Sequence, residues 1–262
     1  MTTKADPEAW RHEWPDEWYA DLTPEEQLEL AREMGPKERD EWPYIWPFRA
    51  HPGQQPPRGD WSLWLIMAGR GFGKTRAGAE WVRHIAETDP SARIALVAAT
   101  LGEARSVMVE GESGILACCP PHRRPSFEPS LHRLTWPAGA QATLYSAGEP
   151  EALRGPQNSH AWCDEVAKWN NAGGKAVASW DNLLLGMRLG ALPRVVATTT
   201  PRAVRPWPAR RKRSSARAFA CTGEARSTAS TASACSRRRS RQLVVRRRCP
   251  PAMVFARMFC LH

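Results

Sequence analysis

The sequence predicts an α/β fold, a mostly parallel sheet with helices on both faces, and three observations carry that prediction. The apolar run Trp64-Leu65-Ile66-Met67 leads into a glycine-rich turn and then a stretch whose apolar positions, Ala77, Trp81, Val82 and Ile85, recur at helical spacing. Residues 92–100 (ARIALVAAT) and 193–201 (PRVVATTTP) are apolar almost throughout, as strands buried on both sides are. Helix-patterned segments separate these strands, the alternation expected of parallel strands joined by crossover helices.

Taken in order, residues 1–20 are rich in Trp and acids and carry no period. Residues 22–35 (LTPEEQLELAREMG) carry helix signals: Thr23 as N-cap, Pro24 at the first position, Glu26 completing a capping box and Gly35 at the end. The aromatic, proline-broken stretches WPYIWPF and HPGQQPPRGDW predict an extended strap over the domain, with tryptophans that pack rather than stack on bases. After the strand at 92–100 a helix is expected from about Gly102 to Glu110. LHRLTWPAGAQATLYSA predicts two strands joined at Pro137-Ala138-Gly139. SHAWCDE closes a further strand, and residues 173–190 (GGKAVASWDNLLLGMRLG) read as a helix. The boundaries expected are a lead-in over 1–58, a core over 59–202 and a basic tail over 203–262.

The net charge of +10 suggests nucleic acid until the chain is divided. Residues 203–262 hold 15 of the 37 lysines and arginines and one of the 27 acids, Glu224; the first 202 residues hold 22 basic and 26 acidic side chains. The tail is rich in Arg, Ser, Ala and Cys, and its four cysteines have no metal-ligand spacing. Two readings fit it: a disordered basic arm on DNA phosphates, or an out-of-frame translation, with composition favouring the second. No stretch is apolar enough to span a membrane, and the N-terminus lacks a signal-peptide pattern. Cys118, Cys119 and Cys163 form no disulfide framework, which suits a reducing compartment.

The glycine-rich turn, Ala68-Gly69-Arg70-Gly71-Phe72-Gly73-Lys74-Thr75, fits a phosphate loop with Ala in the first, usually glycine, position. Glycines permit positive φ and bring successive N–H groups close to an anion. The helix that follows adds unpaired N–H groups and its positive dipole end. Lys74 would neutralise β/γ-phosphate charge and Thr75 would ligate Mg²⁺, so the expected fold is that of a P-loop NTPase binding ATP and Mg²⁺. Downstream, Asp164 would complete the metal shell, and Glu165 would orient or deprotonate the attacking water. A strand closing in Asp-Glu is also how many solvated loops begin; its distance from a phosphate loop favours the catalytic reading. Arg70, inside the loop, and Arg154, in EPEALRGPQ, are candidates for stabilising the transition state, Arg154 in cis or on a neighbouring subunit. For Arg154 a plain surface ion pair fits equally well.

WLIMAGRGFGKTRAGAEWVR, YSAGEPEALRGPQNSHAWCDEVAKW and VVATTTPR, in that order, resemble the ATPase half of phage terminase large subunits, the DNA-packaging motors of tailed phages, and especially their prophage and gene-transfer-agent branch. The resemblance covers about residues 10–202. It implies that Lys74 and Thr75 are the phosphate-loop lysine and Mg²⁺-binding hydroxyl, that Asp164 and Glu165 are the metal acid and catalytic glutamate, and that Arg70 and Arg154 stand near the γ-phosphate. It further implies that Thr198-Thr199-Thr200 is a coupling motif and that Gln54, or its neighbour Gln55, contacts adenine. The partners implied are double-stranded DNA, a portal protein, a small terminase subunit and a homo-oligomeric ring, in the bacterial host cytoplasm and transiently on the prohead, with no membrane. Large terminases continue into an RNase H-like nuclease with clustered aspartates. After Arg202 this chain has no aspartate and one glutamate, so a truncated or frameshifted copy without the nuclease is expected. Rival readings are another P-loop translocase or helicase-like ATPase, and a non-catalytic basic DNA-binding product of a decayed prophage gene.

Overall fold

The computed structural model describes residues 40–201, positions 23, 25, 26 and 32 ahead of them, and the backbone of 241–245. Eight strands form one sheet in the order β3-β4-β5-β2-β6-β7-β1-β8. The strands are β1 (Leu63–Met67), β2 (Arg93–Ala98), β3 (Ser126–Glu128), β4 (Arg133–Thr135), β5 (Gln141–Ser146), β6 (His160–Cys163), β7 (Arg194–Thr199) and β8 (Arg241–Val245). The five central strands, β5-β2-β6-β7-β1, are parallel; β3, β4 and β8 add antiparallel edges. The expected α/β fold with a mostly parallel sheet is therefore present.

Alternate residues of each strand point to opposite faces, and the two faces build two cores. Trp64, Ile66, Ile94, Leu96, Trp162 and Val196 meet α1 (Lys74–Thr88) and the short helices α2 (Leu101–Glu103) and α3 (Ile115–Cys118). Leu63, Leu65, Ala95, Val97, Ala161, Cys163, Val195 and Ala197 meet α4 (Lys175–Gly186) through Ala176, Trp180 and Leu183. Gly78 sets the first contact: a Cβ there would lie 2.3 Å from the Trp162 ring, so only glycine lets α1 sit this close to β6.

The lead-in departs from expectation. Three 3-10 turns, Trp42–Tyr44, Trp46–Phe48 and Pro52–Gln54, replace the extended strap. Pro47 and Pro52 stand at the start of their turns, where a fixed φ near −65° suits a helical turn and no N–H is missed. The tryptophans do pack, with Trp46 and Trp61 buried. After β2 the expected helix is present, but past α2 it continues as a π-helix over Ala104–Val109, with Glu110 N–H donating to Arg105 O at 2.9 Å. The strand pair around Pro137-Ala138-Gly139 is β4 and β5, closed by Gly139 at φ +112°. Thr23 and Glu26 make their reciprocal bonds, Thr23 N–H to Glu26 Oε2 at 2.7 Å and Glu26 N–H to Thr23 Oγ1 at 3.3 Å. Most of that helix lies outside the described residues. So does most of the basic tail, whose expected disorder is therefore not described; its residues 241–245 pair with β1. No helix among the described residues is long and apolar enough to cross a membrane.

Candidate active site

The carboxyl ends of β1, β6 and β7 open into one cleft of about 920 Å³. A parallel sheet brings every strand's carboxyl end to the same edge, which is where its ligands are taken. Residues 68–75 leave β1 there as a loop with Gly71 at φ +78° and Gly73 at φ +83°, conformations that glycine adopts without strain. Gly73 is the N-cap of α1, and its carbonyl accepts from Ala77 N–H at 2.9 Å. The cap has no side chain, so the first N–H groups of α1 keep no side-chain partner at the cap and are available to an anion.

Lys74 is buried, at 7% exposure. Its ammonium donates to Ala68 O at 3.0 Å and Gly69 O at 3.2 Å, and lies 3.5 Å from Glu165 Oε1. The loop thus folds over its own lysine, which points along the cleft floor at the acid that follows β6.

Glu165 sits in the left-handed region, φ 45° and ψ 51°, where a non-glycine residue costs roughly 1–2 kcal/mol. The threonine run of β7 holds it there. Thr200 N–H donates to Glu165 Oε2 at 3.0 Å and Thr200 Oγ1 to Oε1 at 2.6 Å, while Glu165 N–H donates to Thr198 Oγ1 at 3.3 Å. Thr198 Oγ1 donates to Asp164 Oδ1 at 2.7 Å, and Ala167 N–H donates to Thr199 Oγ1 at 3.2 Å. Each of the three hydroxyls therefore positions one part of the Asp164-Glu165 turn. Burial pushes the Asp164 carboxyl up to about 6, against the bond from Thr198 that lowers it.

Thr75 lines the cleft, while Asp164, 7% exposed, follows β6 without lining it; a hydroxyl and a carboxylate are both hard oxygen donors. Such donors fit Mg²⁺, which uses one or two protein oxygens and takes the rest from phosphate and water. Burial that raises Asp164 is also what a nearby dication reverses, since positive charge favours the carboxylate.

Other expected residues fall at different distances from this centre. Arg70 is exposed at the rim of the cleft, and Gly71, Gly73 and Thr75 line it. Phe72 packs edge-on against His51, ring centroids 4.5 Å apart. Gln54 is buried behind the loop: its Nε2 donates to Phe72 O at 2.9 Å, and its Oε1 accepts from His51 N–H at 3.1 Å. Its amide thus ties the glycine-rich loop to the lead-in turn, and Gln54 is not among the residues that line the cleft. Arg154 does not line the cleft either; its side chain is 75% exposed and lies 3.6 Å from Glu151.

The cleft also holds residues that sequence reasoning missed. Ser106, Val107, Gly111, Glu112 and Ser113 form a far wall, brought in by the crossover after β2. No local signal marks them, because their place depends on β2 lying next to β6. Arg76 and Lys168 also line it, one and three residues beyond singled-out positions.

Against known protein families, the family described as terminase large subunit, T4likevirus-type, N-terminal, matches residues 65–205. No curated protein matches the chain. Among solved structures it is similar to the large terminase ATPase domain of Thermus phage P74-26, with 16% identity over 60% of this chain and 66% of that one, and a TM-score of 0.45. It is similar also to the large terminase of the thermophilic bacteriophage D6E, with 13% identity, 62% and 38% coverage and a TM-score of 0.44. For the bacteriophage Phi-29 genome packaging motor assembly the values are 12%, 56%, 46% and 0.41. This chain thus spans less than two thirds of each of these chains.

Proposed function

Since the chain belongs to the terminase large-subunit family by its N-terminal, T4-like type, we propose that it is the ATP-hydrolysing motor portion of a DNA-packaging machine. The observation that carries this reading is the convergence in one cleft of Lys74, at the start of α1, with Glu165, strained and held by Thr198 and Thr200. The unit is residues 59–202, with 1–58 as its lead-in and 203–262 as a basic extension.

ATP lies with its phosphates on the Gly71–Thr75 backbone and the α1 N-terminus, and Lys74 turns from the loop carbonyls to the β/γ-phosphates. Thr75 and Asp164 would hold Mg²⁺, which would supply positive charge to offset that of the phosphate oxygens. Glu165 accepts a hydrogen bond from the attacking water and aligns it for in-line displacement. Thr200 bonds that same carboxylate, so a change at Glu165 on hydrolysis reaches β7 directly; that is the coupling role assigned to Thr198, Thr199 and Thr200. Arg70 approaches the phosphates from the rim. Arg154, exposed and outside the cleft, serves a neighbouring copy in a ring rather than its own site.

The similar solved structures include the D6E large terminase in complex with ATP-gamma-S and with ADP, and a packaging motor assembly. For this chain the substrate proposed is ATP, and the partners are double-stranded DNA, a portal protein and a small terminase subunit, in the host cytoplasm. Residues 203–262 contain no aspartate, so no acid cluster for a two-metal nuclease can come from them.

The test is ATP turnover by the full chain with Mg²⁺, with and without DNA. K74A should lower turnover more than about a hundredfold, and E165Q should bind ATPγS while failing to turn over ATP. Turnover retained in purified K74A would refute the assignment.

A further inference from the structure

One turn beyond Glu165 stands a second cation that the proposed hydrolysis leaves unused. The Lys168 N–H donates to Glu165 O at 2.7 Å, closing the 3-10 turn Val166–Lys168. Lys168 lines the same cleft as Lys74, Glu165 and Thr200. Its ammonium is 2.6 Å from Glu103 Oε1. That contact runs from the turn after β6 to α2 after β2, two segments 65 residues apart in the chain. The two side chains are 50% and 34% exposed, and an ion pair so open to water is weakly held.

Resting on the nucleotide reading above, we propose that Lys168 is what distinguishes a nucleoside triphosphate from a diphosphate, by exchanging Glu103 for the terminal phosphate. The phosphate loop and Lys74 fix the β-phosphate end, and Glu165 marks the γ end, where the water attacks. A cation on the turn of Glu165 faces the γ end and gains nothing from a diphosphate. The other cations of the cleft are differently disposed. Arg76 is tied to buried Glu80 at 2.6 and 2.8 Å, Lys74 belongs to the loop, and Arg70 stands at the exposed rim. A phosphate also offers more charge and more acceptor oxygens than the carboxylate it replaces.

The exchange has a structural consequence. Glu103 belongs to α2, capped by Thr100 Oγ1 accepting from Glu103 N–H at 3.2 Å, and α2 leads directly into the π-helix that carries Ser106 and Val107. A triphosphate therefore unties the far wall from the Glu165 turn, and a diphosphate lets the tie re-form.

Calorimetric titration of the full chain with ATPγS and with ADP, both with Mg²⁺, tests this on wild type, K74A, K168A, K168R and E103Q. K168A should weaken ATPγS by about tenfold and ADP by less than about twofold, and K168R should recover most of the loss. E103Q, which removes the competitor, should tighten ATPγS by about two- to threefold and leave ADP unchanged. Equal weakening of both nucleotides in K168A, or no weakening, overturns the proposal. Should K168A fail to fold, E103Q decides: an unchanged preference for ATPγS over ADP overturns it. Wild type that binds neither nucleotide refutes the nucleotide reading itself. Binding abolished by K74A but indifferent to Lys168 and Glu103 refutes only the exchange.

Discussion

Helices α1 and α4 cover opposite faces of one sheet, but α1 buries nine of its fifteen residues and α4 five of its twelve, so only α1 is enclosed on more than one side. Its inner side meets β6 through Gly78. Its outer side is closed by charge and by the lead-in. Glu80, 1% exposed, pairs with Arg76 and Arg83; Arg83 donates to Tyr44 O at 2.7 Å; and Arg76 lies 5.7 Å from the Trp46 ring centre. Glu87 and Glu41 both pair with Arg123, which adds the loop after α3. Helix α4, by contrast, leaves Val177 and Leu185 exposed on its outer side. The difference follows from position. Helix α1 begins at Lys74, so any freedom in it moves the N–H groups proposed to hold phosphate, whereas α4 has only a face to cover.

Substitutions on the two helices separate these roles. Trp180→Ala empties the largest side chain on the α4 face and should cost about 4 kcal/mol in chemical denaturation, while leaving nucleotide affinity within about twofold. Glu80→Gln strands two arginines at the buried side of α1 and should cost about 3 kcal/mol, with a loss of ATPγS affinity that Trp180→Ala lacks. A Cβ against Trp162 makes Gly78→Ala costly by about 2 kcal/mol, although alanine is otherwise the better helix former; a stabilised variant would show that α1 does not sit where it is placed here.

The pH response also belongs to the α1 face. Burial, with Arg83 and Arg194 respectively, holds His84 and His160 down to about 4, and His160 packs on Trp81 of α1. A histidine with a lowered folded-state pKa gives the fold its full contribution above about 6.5. That contribution is lost as pH falls toward 4, because the unfolded chain takes up the proton first. Asp164, raised to about 6, works in the opposite sense and offsets part of the loss. The H160Q variant isolates one term: between pH 7 and pH 5 it should lose about 1.5 kcal/mol less stability than wild type. The smallest effect expected is Leu185→Lys, within about 0.5 kcal/mol, since Leu185 is 70% exposed; a larger loss would mean that α4 has a second covered side.

The parts of the site that were legible are those with local rules. Strand, glycine turn and helix in series were readable because each is set by neighbouring residues, and β1, a turn with Gly71 and Gly73 at positive φ, and α1 do follow one another. Thr23 and Glu26 were readable as a cap for the same reason. Asp164 and Glu165 were legible as a pair after an apolar run, but the strain at Glu165 and the threonine partners of both were not, because β6 and β7 meet only through sheet pairing. Gln54 is a parallel case. The resemblance implied an adenine contact for it or for Gln55, and in the fold its amide bonds Phe72 and His51, partners that no local pattern announces. The lead-in was misread as extended because proline signals a break equally in straps and in 3-10 turns, and packed tryptophans suit either; the turns over Trp42–Tyr44, Trp46–Phe48 and Pro52–Gln54 appear only in the fold.

By itself the sequence determined the alternation of strands and helices, the glycine-rich turn between β1 and α1 and the pair of acids after β6, since each follows from periodicity or from neighbouring residues. Tertiary structure alone decided the strand order, which carries Glu165 to Lys74, Thr200 to Glu165 and Lys168 to Glu103. Contacts between residues 35, 65 or 91 positions apart depend on which strands pair, and pairing is settled by how both faces of the sheet are buried together.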